Sequence, residues 1–219
     1  RLQVEALDLT QLHCIPASLM ESGEVFEWLK IIQEEGKIKR FGASVESVSE
    51  ALTCLEYDGL DSLQIIFNLF RQNPIENLFD KAKAKGVSII VRLPLASGLL
   101  GGGLHKDISF SHNDHRLFNS DGQLFNVGET FSGIPFDQGL NLVEELKKIL
   151  PKNINLAQMA LRWVLDYDAV TVVIPGSKKP NQIPLNASAS GLPEIPKILH
   201  EKLMNFYNEK ITSHIRGKL

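Results

Sequence analysis

The stretch Thr171 to Asn186, TVVIPGSKKPNQIPLN, decides how the rest of the chain is read. Val170, Val172, Val173 and Ile174 are apolar and β-branched, which suits a buried strand, and Pro175 with Gly176 stops it. Ser177, Lys178 and Lys179 follow, just before Pro180, which is expected to open a helix. A strand, a turn and a helix N-terminus in that order offer an anion unpaired N–H groups, a partial positive charge, a hydroxyl donor and two full charges. The same residues also fit a plain strand, turn and helix with a solvated lysine pair. The segment alone does not separate these readings.

Working outward, composition bounds what such a site can serve. The chain has 219 residues, 43% of them apolar, and a net charge of −3 from 23 basic and 26 acidic side chains. That is ample core for one soluble domain over residues 1–219, and no basic excess marks a nucleic-acid partner. Cys14 and Cys54 are too few and too badly spaced for a disulfide framework or a zinc site, which points to a reducing, cytoplasmic compartment. No apolar run reaches membrane-spanning length and no signal-peptide pattern opens the chain. Residue 1 is Arg, and Arg1-Leu2 ahead of a strand-like run reads as the tail of a helix whose beginning is absent. The chain is therefore expected to be a piece of something longer.

Strand and helix patterns alternate along it. Strands are predicted over Ala6–Leu12, Ile38–Ala43, Ser62–Asn68 and Val87–Leu93, the last a near-continuous apolar run of the buried parallel type. Helices are predicted over Gly23–Glu35, with Gly36 past its end, from about Ser47 to Glu56, and over Pro74–Lys85. Ser47 and Glu50 are spaced as a capping box. From Leu95 to Ile134 the chain is rich in Gly, His, Asn, Asp and Ser, too long for an ordinary connection and readable as a functional loop or lid. Helices over Phe136–Leu150 and Leu156–Asp166, the opening strand and a final helix near Glu194–Lys210 complete the series. Five strands separated by helices imply a parallel sheet, either doubly wound or part of a barrel. No G-x-G-x-x-G follows the first strand, which weakens the doubly wound dinucleotide fold.

Several polar residues fall at or near strand ends, where both architectures place ligands: His13, Ser44, Gln64 with Asn68, Arg92, and Gly176 to Lys179. Around them lie DLTQLH (Asp8–His13), EEGKIKRFGAS (Glu34–Ser44), IIFNLF (Ile65–Phe70), PLASGLLGG (Pro94–Gly102), LAQMALRWVL (Leu156–Leu165) and VIPGSKKPNQI (Val173–Ile183). In combination these resemble successive blocks of the aldo-keto reductase family, across nearly the whole chain. The resemblance implies an α/β fold, a (β/α)8 TIM barrel of which this chain holds only strands 4 to 8 with their helices. It implies reduction of an aldehyde or ketone by hydride from NADPH. Of the family's Asp, Tyr, Lys and His tetrad it places only the histidine here, as His13, which would help orient the carbonyl. The chain alone is then expected to be inactive.

The resemblance also assigns cofactor contacts, cofactor NADP(H). Ser44 and Gln64 match positions that hydrogen-bond the nicotinamide carboxamide, while Val45 stands where many members carry asparagine. Arg92 replaces a frequent aromatic and is expected to reach a phosphate or a substrate carboxylate, against the plainer reading of an arginine paired in the barrel mouth. Leu93, Leu95 and Ser97 match a pyrophosphate-lining backbone. Gly176, Ser177, Lys178 and Lys179 match the 2′-phosphate site, where two lysines favour NADPH over NADH. Gln182 replaces a common arginine, Pro184 is expected to break the helical hydrogen bond toward Pro180, and Asn186 would read the adenine. His105, Asp107, His112, Asp114 and His115 lack a tight ligand motif, so no metal site is expected. Arg116 is expected to tie down a loop over the cofactor. Two other readings stay open: a noncatalytic NADPH-binding regulatory subunit, and a barrel lyase or isomerase taking a phosphorylated substrate at Ser177–Lys179.

Overall fold

The computed structural model describes residues 2–152 and 154–219, so the reading of Arg1 as a helix tail lies outside the described residues. The chain packs as two compact units, one made of Arg1–Ile65, Asn73–Ile90 and Leu219, the other of Ile66–Gln72 and Val91–Lys218. Its strands hydrogen-bond in sequence order from the first to the fifth.

The first unit alternates β1 (Thr10–His13), α1 (Ala17–Ser22), α2 (Glu24–Glu34), β2 (Phe41–Ser44), α3 (Val48–Leu55), β3 (Ser62–Ile66), α4 (Pro74–Asn77), α5 (Phe79–Ala84) and most of β4 (Ser88–Arg92). β1, β2 and β3 are parallel, with His13 opposite Ser44 and Ser44 opposite Gln64. Side chains alternate across a strand, and the two faces differ in chemistry. Phe41, Ala43, Leu63 and Ile65 are buried on one face, while the other carries Gln11, His13, Gly42, Ser44, Ser62 and Gln64. Gly42 is required there: a Cβ would lie 2.2 Å from Ser62 Oγ and 2.5 Å from the Ser62 carbonyl oxygen. Ser47 caps α3, its Oγ accepting from Glu50 N at 3.2 Å. Glu50 returns a carboxylate to the N–H of Glu46 at 2.8 Å, one residue ahead of the usual capping-box partner.

The second unit holds the rest: α6 (His115–Phe118), α7 (Phe136–Ile149), α8 (Leu156–Leu165), β5 (Val170–Val173), α9 (Gln182–Ala187) and α10 (Lys197–Phe206), followed by a π-helical turn over Tyr207–Ile211. The irregular segment before α7 contains, besides α6, 3₁₀ turns at Ala96–Gly101, Val127–Glu129 and Phe131–Gly133. Phe67 packs on Trp163 and Tyr167 with centroids 4.9 and 5.2 Å apart, and Phe131 on Phe136 at 5.0 Å. Asp166, just past α8, accepts from Arg162, from Ile195 N and from His200, which fastens α10 to α8.

The structure corrects several expectations. β5 is not buried: Val172 is 42% and Ile174, just past it, 46% exposed, because β5 stands last in the strand order and among the described residues neighbours β4 alone, with Ile174 N donating to Val91 O at 2.9 Å. β4 alternates, with Ile89 and Val91 buried and Ser88, Ile90 and Arg92 half-buried, so it is not apolar on both sides. The first strand begins at Thr10 rather than Ala6, preceded by one isolated bridge from Leu7 to Ile38. The helix predicted over 74–85 divides at Leu78, whose φ and ψ are −125° and −45°, although its N–H still bonds to Pro74 O. α9 begins at Gln182, not at Pro180. Pro184 therefore sits in the first turn, where its missing N–H removes no helical bond.

Candidate cofactor and active site

In the first unit, the register of three parallel strands sets His13, Ser44 and Gln64 side by side on the polar face. His13, at the carboxyl end of β1, is exposed. Ser44 is 1% exposed, and its Oγ has no hydrogen-bond partner among the described residues. A buried, unsatisfied hydroxyl is costly. Gln64 is half-buried, and its Nε2 donates to Gln11 Oε1 at 2.7 Å. Val45 lies on the opposite face, fully buried. Its position is thus occupied by core packing. Cys14 continues the strand pairing through its N–H to Ser44 O at 2.9 Å, and burial pushes the Cys54 thiol up to about 12, which makes it inert.

In the second unit, β4 runs into a sharp loop. Leu93, Ala96 and Ser97 take left-handed φ of 53°, 47° and 55°, and Gly98 follows at 104°. Non-glycine residues hold such angles at a cost of about 1–3 kcal/mol each, and here side chains impose them. Asn68, fully buried, donates from Nδ2 to Leu93 O and to Ser132 Oγ, both at 2.9 Å, and its Oδ1 accepts from Phe70 N. Ser97 Oγ donates to Glu129 O at 3.1 Å and accepts from Phe131 N at 3.0 Å. The Ser97 hydroxyl is therefore committed to holding the loop. Arg92 pairs with the Glu129 carboxylate, each side chain less than a fifth exposed, the arrangement of the plainer reading.

This loop forms one wall of a groove of about 840 Å³ lined by Leu93, Leu95, Ser97, Gly176, Ser177, Lys178, Lys179 and Gln182, among others. Glycines at 98, 101 and 103 keep its floor open to close backbone approach. Asp114, His115 and Arg116 also line the groove. Asp114 caps α6 and accepts from Arg116 Nε at 2.9 Å and from its terminal nitrogen at 2.6 Å. Arg116 reaches on to Ser97 O at 3.4 Å and lies 4.3 Å above the Phe110 ring, which anchors this segment to the groove as expected of it. Those bonds hold the Asp114 carboxyl well below the usual carboxylate range, and burial holds His115 below the usual imidazole value. Lys178 Nζ lies 3.7 Å from Asp114 while its side chain is 77% exposed.

The turn at Ser177–Gln182 differs from its sequence expectation in one respect. The N–H groups of Lys178 and Lys179 are not free: Gln182 Oε1 accepts both, at 2.7 and 2.9 Å. Its side chain folds back over the turn, so the positive charge there resides on the two lysine ammonium groups. Asn186 does not line the groove. It donates to Ser177 Oγ at 3.1 Å and, with Ser177, lines a separate cavity of about 520 Å³ whose other walls are mainly apolar, including Leu161, Val172 and Ile183.

Two participants escaped the sequence reading. Gln11 braces Gln64, and period-two alternation from His13 could have placed it on the same face. Glu129 neutralises Arg92, and nothing local in the sequence pairs residues 37 positions apart.

The sequence pattern of the Aldo/keto reductase family matches residues 1–203, and the chain belongs to that family. It is 27% identical over 193 residues to the aldo-keto reductase YhdN of Bacillus subtilis (strain 168), covering 87% of this chain and 55% of that protein. It is 31% identical over 199 residues to the aldo-keto reductase str7 of Strobilurus tenacellus, covering 88% and 55%. The chain thus spans about half the length of the curated relatives it matches. Among solved structures it resembles the holo form of aldo-keto reductase AKR11C1 from Bacillus halodurans, with TM-score 0.69 and 23% identity over 93% of this chain and 62% of that one. That likeness shows an α/β fold of TIM-barrel type.

Proposed function

We propose that this chain forms the nicotinamide-dinucleotide-holding part of a reductase that converts an aldehyde or ketone to an alcohol, with NADPH preferred. Its five strands stand for the fourth to eighth of the (β/α)8 barrel, in one domain over residues 1–219. The observation that carries the reading is the in-register row His13, Ser44, Gln64 with its orphaned Ser44 hydroxyl. A carboxamide has one acceptor and one donor group, and Ser44 with Gln64 offers the complement. The Leu93–Gly98 backbone and the groove take the pyrophosphate, and Ser177, Lys178 and Lys179 take the 2′-phosphate. When bound, the cofactor supplies the hydride. His13 donates a hydrogen bond that orients the carbonyl oxygen, and half-buried Gln64 together with buried Ser44 fixes which ring face is presented. The resemblance places no tyrosine proton donor in these 219 residues, so this chain by itself binds cofactor without turnover.

Fluorescence titration with NADPH and NADH tests this. The chain should bind NADPH about tenfold more tightly, and the double change Lys178→Ala, Lys179→Ala should abolish the preference while sparing NADH. Equal affinities in the unmodified chain, untouched by the double change, would sink the 2′-phosphate assignment.

A further inference from the structure

Gln11 contacts neither cofactor nor substrate in the proposed function, yet its side chain is hydrogen-bonded to Gln64. It stands on β1 one turn of the pleat before His13, opposite Gly42 on β2, and Gly42 is opposite Ser62 on β3. Adjacent strands lie about 4.8 Å apart, so a side chain on β1 ordinarily meets the side chain of β2, not of β3. Here β2 presents glycine, and Gln11 passes over it to reach two residues of β3: its Nε2 donates to Ser62 Oγ at 3.3 Å, and its Oε1 accepts from Gln64 Nε2 at 2.7 Å. Glycine at 42 is forced by Ser62, whose atoms would lie 2.2 and 2.5 Å from any Cβ there. The bridge is thus built into the register of three strands.

Resting on the cofactor assignment of Ser44 and Gln64, we infer that Gln11 is a positioning residue: by taking the amide hydrogen of Gln64, it turns the Gln64 carbonyl oxygen outward to accept from the nicotinamide carboxamide. An amide side chain has two nearly isosteric ends, and one end must be engaged for the other to be offered consistently. Ser44 Oγ–H supplies the donor for the carboxamide oxygen, so an acceptor, not a second donor, is what the nicotinamide amide needs from Gln64. Gln11 sets that polarity. It touches neither cofactor nor substrate and acts only through Gln64.

The test uses two ligands and two variants of Gln11, read by calorimetry. NADPH carries the nicotinamide; adenosine 2′,5′-bisphosphate has the same 2′-phosphate end and lacks it. Gln11→Leu should weaken NADPH roughly tenfold, about one hydrogen bond, and leave the bisphosphate within about twofold. Gln11→Glu, whose oxygens can only accept, should keep NADPH affinity close to that of the unmodified chain. Unchanged NADPH binding in Gln11→Leu, an equal loss in Gln11→Glu, or a parallel loss of both ligands would each overturn the inference. Failure of the Ser44 and Gln64 assignment itself looks different: Gln64→Leu would then leave NADPH affinity unchanged as well.

Discussion

Ser97 shows how a single hydroxyl can look like a ligand contact and serve the scaffold. Its Oγ is shared between Glu129 O and Phe131 N, tying two segments whose residues 97, 131 and 132 all hold left-handed φ. Ser97→Ala should lower stability by about 2 kcal/mol in urea denaturation, since two partners are left unsatisfied. Asp114 gives a pH signature. Its folded-state pKa lies below the ordinary carboxylate value of 3.8, because Arg116 hydrogen-bonds the ionised form. The unfolded chain therefore binds the proton first, and the stabilisation is complete above that ordinary value and lost as pH falls through the depressed one. Asp114→Asn should be less stable than the unmodified chain near pH 7, with the gap closing as pH is lowered from about 4. A gap that widened on acidification would contradict the ion-pair account. At this scale the sequence was partly legible: Arg116 reads correctly as a tie, while Arg92 reads toward a ligand and meets Glu129 instead.

At the scale of elements, the order of strands and helices follows from hydrophobic periodicity, and the places of disagreement have physical causes. Periodicity reports where apolar residues could face a core; it does not report how many neighbours a strand has. β5 carries the composition of an interior strand and yet leaves Val172 and Ile174 open on its outer side. The start of α9 departs from the sequence expectation: Gln182 accepts from the N–H groups of Lys178 and Lys179, and the helix begins at Gln182, past Pro180. Nothing in the sequence singles out Gly42 from its motif, and the need for glycine there comes from the close approach of Ser62. Gly42→Ala should cost about 3 kcal/mol or prevent soluble expression, because one of the two obstacles, the Ser62 carbonyl oxygen at 2.5 Å, is backbone and cannot rotate away. A variant melting within a few degrees of the unmodified chain would show that β2 and β3 can separate cheaply there.

For the molecule as a whole, what matters is how far its apolar surface and its candidate site can be explained together. No helix among the described residues is long and apolar enough to cross a membrane. The exposed Val172, Ile174, Ile183 and Leu185 instead leave an apolar margin beside β5, with no charged residue within the strand to discourage pairing. Concentration-dependent association in sedimentation velocity should follow, and Val172→Lys should suppress it without changing NADPH affinity. Hydrogen–deuterium exchange with and without saturating NADPH tests whether these residues hold a nicotinamide dinucleotide. Slowed exchange is expected in Ser44–Val45, Leu93–Gly103 and Ser177–Gln182, with the outer helices unchanged. Identical exchange in all three segments with NADPH present would contradict it.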